Sequence, residues 1–126
     1  MYRRAALALL TLGGISMPRF IVTGNYTASA MKGMIEKPSD REAAARAVIE
    51  AAGGTLETFY LTTGDNDFSI KVTIDDAADL IAGLMATGAS GAVSNLRTIR
   101  AFTSDEFTAM QKRAGEIAKA YTAPGG

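Results

Sequence analysis

Three sets of side chains in this chain have the types and spacing to do chemistry. In the stretch "TTGDNDFSI" (residues 62–70), Asp65 and Asp67 flank the tip of a tight turn. Two carboxylates that close can act as a general acid–base pair, provided their environments push the two pKa values apart. A turn tip is wet, however, and Asp is a favoured turn residue, so the plain reading is a structural turn. The alternative is that Asp67 lines a ligand cleft. Tyr26 and Tyr60 form the second set, as hydrogen-bond donors or as amphipathic rings beside an interface. Arg97 and Arg100 form the third: their forked donors could clamp an anion, or could make sheet-edge and inter-subunit ion pairs. Lys71 sits among alternating residues, where a solvated lysine is the default.

What the chain lacks is as informative. It has no His, which excludes a Ser-His-Asp relay, a histidine-ligated haem and the usual zinc sites. It has no Cys, so disulfides, thiolate nucleophiles and thiolate metal ligands go together. Thirteen basic and thirteen acidic residues balance to a net charge of zero without a basic cluster, which gives no footprint for nucleic acid or an anionic membrane. We expect no cofactor and no metal.

These groups need a scaffold, and 126 residues with 48% hydrophobic content are enough for one domain with a real core. "RFIVTGN" (19–25) reads as a buried strand. Thr27 caps a short helix carrying Met31, Met34 and Ile35, which stops before Lys37-Pro38. Ser39 and Glu42 have capping-box spacing and open a helix that ends at Gly53-Gly54. "TLETFYLT" (55–62) and "DFSIKVTI" (67–74) are strands joined by Gly64-Asp65-Asn66. The second alternates, with Phe68, Ile70, Val72 and Ile74 on one face and Asp67, Ser69, Lys71 and Thr73 on the other. Asp75 and Asp76 start a helix with an apolar stripe of Leu80, Ile81, Leu84 and Met85, ending near Gly88. The methionines at 31, 34 and 85 read as core. "GASGAVSN" (88–95) precedes a strand and has no following Lys, so it is a connector and not a phosphate loop. "NLRTIRAF" (95–102) is the last strand. Thr103 to Glu106 is a second capping box, opening a helix with Phe107, Met110, Ala114, Ile117 and Tyr121 on one face. The tail 122–126 frays.

This order, with right-handed crossovers, predicts an α+β, ferredoxin-like split βαβ sheet (βαββαβ plus a C-terminal helix), antiparallel and covered by helices on one face. One domain spans 17–121. The first sixteen residues, with Arg3 and Arg4 before a short apolar run, read as an extension from a mis-assigned start or as a signal-like segment; the run is too short to span a bilayer. The expected location is cytoplasmic, or exported if that segment is a signal peptide.

"RFIVTGNYT", "DREAAARAVIEAAGGTLETFYLTTGDNDFSI" and "NLRTIRAFTSDEF", in this order and spacing, resemble the GYD family of small bacterial proteins. The resemblance covers residues 17 to 107. Of the family's Gly-x-Tyr-Asp hairpin signature, Gly64 and Asp67 match and Asn66 stands at the Tyr position. The resemblance implies a dimeric α/β barrel made by face-to-face pairing of two sheets. It implies no particular activity: relatives in the wider dimeric-barrel group include haem enzymes, which rely on a histidine absent here, and cofactor-free monooxygenases.

Three functions are open at this level. The first is a small oligomeric binding or sensing protein with a ligand site between the sheet face and a partner subunit, lined by Tyr60, Asp67, Ser69 and Arg100. The second is a structural or interaction module without a ligand. The third is a cofactor-independent enzyme of oxygenase or isomerase type. We expect a homodimer or a larger assembly built from dimers, because both crossover helices cover one sheet face and leave Thr58, Tyr60, Ser69, Lys71 and Thr73 on the other, where the C-terminal helix either covers part of it or docks on a neighbour. Whether the chain is an enzyme at all is left open by its residues.

Overall fold

The computed structural model describes residues 17–126, so the reading of residues 1–16 lies outside it. The elements run β1 (Arg19–Tyr26), α1 (Ala28–Glu36), α2 (Arg41–Ala51), β2 (Thr55–Leu61), β3 (Phe68–Thr73), α3 (Ala77–Ala89), β4 (Val93–Ala101) and α4 (Ser104–Ala118). The four strands form one antiparallel sheet in the order β2-β3-β1-β4. This is the ferredoxin-like arrangement: each crossover helix skips over one strand, and β1 and β3 take the centre.

The period-two alternation of β1 and β3 decides which face is buried. Phe20 and Val22 of β1 join Phe68, Ile70 and Val72 of β3, with Leu56 of β2, against Ile49 of α2 and Leu80 of α3. Gly24 lies in the same row and is buried because two side chains occupy the space its own would take. A Cβ there would stand 2.6 Å from Phe68 Cζ and 2.9 Å from Leu96 Cδ2. We therefore expect Gly24→Ala to destabilise the domain by about 1–3 kcal/mol through overpacking. A urea midpoint indistinguishable from wild type would show that Phe68 and Leu96 yield freely.

Two register shifts break the regular ladder. One lies in β2 at Glu57, whose carboxylate accepts from Thr73 Oγ1 at 2.8 Å. The other lies between Thr23 and Asn25, opposite Asn95, which takes a left-handed φ of 52°. Asn is among the few side chains that tolerate that region.

Capping differs from the expectation at one helix. Asp40, not Ser39, caps α2, accepting from the Ala43 backbone N–H at 3.0 Å. Ser39 instead accepts from Arg41 Nη1 at 3.1 Å, and Glu42 pairs with Arg46 one turn on at 2.9 Å. The box at Thr103–Glu106 is present with both of its hydrogen bonds. The methionine reading also needs correcting: Met31 and Met85 are exposed, as are Ile35 and Ile81, since α1 buries none of its residues and α3 buries Leu80 alone.

The C-terminal helix does not fold back over the open face. Glu106, 3% exposed, anchors its first turn to Arg19 of β1 by an ion pair of 3.0 Å. From Gln111 onward every residue is exposed, and so are Phe107 and Ile117 of the apolar stripe, together with Tyr121 beyond the helix. No helix among the described residues is long and apolar enough to cross a membrane.

Candidate functional site

The register places the site candidates on two different faces. Tyr60 stands opposite Ser69, and Thr58 opposite Lys71, on the face without helices. Lys71 is in turn opposite Ile21 of β1, and Ile21 is opposite Ile99 of β4. The helix-free face is thus a polar patch on β2 and β3 beside an apolar pair on β1 and β4. Tyr60 is 65% exposed and Ile99 is 57% exposed.

Arg100 is not with them. Its register partner is Phe20, a residue of the buried face. Its guanidinium lies 5.6 Å from the Phe20 ring centroid and 4.4 Å from that of Phe102, and it donates to the Ala101 carbonyl at 3.2 Å. Stacking on two rings and capping strand-end carbonyls are structural tasks. The physical reason is plain in the spacing: Arg97 and Arg100 are three residues apart on a strand, so they point to opposite faces. Arg97, opposite Thr23, is the one on the helix-free side. The four expected lining residues therefore do not converge.

Asp67 is also committed locally. Its Oδ2 accepts from the Tyr26 backbone N–H at 2.9 Å, and its own N–H donates to the Gly24 carbonyl at 2.8 Å. It stitches the hairpin to the end of β1. Around it, Asn25 Nδ2 donates to the Asp65 carbonyl at 3.0 Å, Asn95 Nδ2 donates to Asn25 Oδ1 at 3.0 Å, and Thr62 Oγ1 donates to the Asn66 carbonyl at 2.7 Å. Gly64 supplies the positive φ of 93° that the turn requires. The polar groups of the hairpin tip hold the turn in place. Asn66 takes part through its carbonyl.

A second set of residues gathers on the helix side, where sequence reading placed no site. An apolar cavity of about 90 Å3 lies between the sheet and helices α2 and α3, walled by Tyr26, Val48, Phe59, Phe68 and Val93 among others. The Tyr26 ring packs tilted on Phe68 with centroids 5.3 Å apart. A second, more open cavity of about 400 Å3 is lined by Tyr26, Met34, Lys37, Ser39 and Arg41. Burial pushes the Tyr26 phenol pKa up and Asp67 adds to this, while the neighbouring Arg41 guanidinium opposes it. The hydroxyl is therefore a protonated donor at neutral pH. Arg41 Nε is buried and has no hydrogen-bond acceptor among the described residues.

Among the described residues, no three His, Cys, Asp or Glu side chains gather where they could hold a metal ion. A comparison with curated proteins finds no match. Among solved structures, an AsnC family transcriptional regulator from Agrobacterium tumefaciens is 14% identical, with 75% of this chain covering 56% of that one at a TM-score of 0.47. A transcriptional regulator from Neisseria meningitidis, solved in complex with L-Met, is 12% identical, with 77% of this chain covering 55% of that one at a TM-score of 0.46. The LrpC protein of B. subtilis is 11% identical, with coverages of 82% and 71% and a TM-score of 0.40. The family model of the GYD domain matches residues 20–110, a span that holds the sheet except Arg19, the hairpin and the helices between the strands, so the chain belongs to the GYD family.

Proposed function

We propose that this protein is a small-molecule binding protein that works as a homodimer or an assembly of dimers, with a ligand enclosed between its helix-free sheet face and that of a partner subunit. The observation that carries this reading is the composition of that face. Ile21 and Ile99 form an apolar pair beside Thr58, Tyr60, Ser69 and Lys71, and among the described residues this face stays half-buried to exposed. Such a mixture suits an interface with a hydrophobic centre and a wet or ligand-bearing polar region. The bare stripe of α4 offers a partner further apolar surface.

The ligand-facing groups are Tyr60 and Ser69, with Lys71 beside them; Asp67 and Arg100 support the frame from the hairpin and the opposite face. Native mass spectrometry of the gently purified full chain tests the reading. The expected spectrum is a dimer carrying a small non-covalent adduct, and the Tyr60→Ala/Ser69→Ala variant should keep the dimer and lose the adduct. Bare dimers throughout, even after incubation with metabolite mixtures, would favour an interaction module without a ligand.

A further inference from the structure

We infer that the helix side holds a second, independent site for a monocarboxylate with a short apolar tail: the carboxylate on Arg41 and the Tyr26 hydroxyl, the tail in the cavity behind Phe59 and Phe68. Three observations meet at Tyr26. Its side chain lines both the apolar cavity and the open cationic one, so a ligand reaching past it has an apolar end and a charged end. At the mouth, Arg41 donates Nη1 to the Ser39 hydroxyl and its guanidinium lies within hydrogen-bond reach of the Tyr26 hydroxyl, while its buried Nε–H has no acceptor among the described residues. A buried donor of a charged group in that state is costly and calls for an anionic acceptor. Lys37, at the end of α1, adds a second cation to the same opening.

The chemistry narrows the ligand further. A guanidinium edge and a phenol O–H match the two oxygens of a carboxylate. Asp40 and Glu42 flank Arg41 on its other side, in a groove shared with Phe59 and Tyr60, and Asp67 is near enough to act on the Tyr26 phenol. These negative charges disfavour a dianion such as phosphate. The tail must be small. A dry cavity of about 150 Å3 holds benzene, so the 90 Å3 here takes a short or branched alkyl group.

Isothermal titration of the full chain with isovalerate tests the site, with isoamyl alcohol and acetate as the probes lacking the charge and the tail. Isovalerate should bind saturably, and each of the other two at least about tenfold more weakly. Arg41→Gln should weaken isovalerate by about tenfold or more, as loss of a charge-assisted bond does. Ala44→Leu, which fills the cavity from a helix position that tolerates Leu, should abolish binding with the melting temperature unchanged or raised. Ser69→Ala, on the helix-free face and outside the cavities around Tyr26 and Arg41, should leave isovalerate binding unchanged, which separates this site from the sheet-face site proposed above. No saturation by isovalerate, equal binding of isoamyl alcohol, or full binding by folded Ala44→Leu would each overturn the inference.

Discussion

Glu106→Ala is expected to lower the unfolding free energy by about 3–5 kcal/mol, the range for breaking a buried ion pair from one side. Glu106 is 3% exposed, its Oε1 lies 3.0 Å from Arg19 Nη1, and the same oxygen accepts from the Thr103 backbone N–H at 2.7 Å. Removing it deprives the guanidinium of a carboxylate and opens the capping box that starts α4. Urea denaturation at neutral pH and fixed protein concentration measures the loss, since any self-association would add a concentration-dependent term. A change below about 1 kcal/mol, the range of a surface pair, would show that α4 is not anchored through this contact.

Ile99→Lys is expected to dissociate the assembly while sparing the fold. Ile99 is 57% exposed in the single chain, so a polar residue costs the protomer little. In a face-to-face pair it would bury a charge at the apolar centre beside Ile21. We expect the dissociation constant to rise by at least about 100-fold, or about 2.8 kcal/mol. Size-exclusion chromatography over a dilution series reads the shift, and circular dichroism checks the fold. Unchanged elution would place the subunit contact elsewhere, with the α4 stripe the next surface to test.

Much of the fold was legible because its signals are local. The alternation of Phe68, Ile70 and Val72, the glycines after α2 and the Thr103–Glu106 box each state an element within a few residues. The α2 cap was harder to read, because Ser39 and Asp40 are adjacent capping residues and both precede an apolar run; only the chain path after Pro38 decides between them. The exposure of Met31 and Met85 was hidden for another reason: an apolar stripe shows which face of a helix turns inward, but not how much sheet lies beneath it.

The candidate site was legible in part. Pairing Tyr60 with Ser69 requires only the hairpin register, which the turn length sets. Arg100 could have been separated from them by counting, since strand neighbours three apart never share a face. Asp67 could not, because its partner is the backbone N–H of Tyr26, 41 residues away. The helix-side group was missed because Tyr26 closes a strand while Lys37 and Arg41 bracket a proline-containing loop. One local signal was present, two cations spaced around Pro38, but only folding brings them to the tyrosine.

The central claim is that the helix-free face is a subunit contact, and sedimentation equilibrium of the full chain at micromolar concentration tests it most directly. The account predicts a mass of twice the 13.2 kDa chain, or a multiple of that dimer. A single monomeric species across the concentration range would contradict it, and would remove the enclosed ligand site along with the dimer.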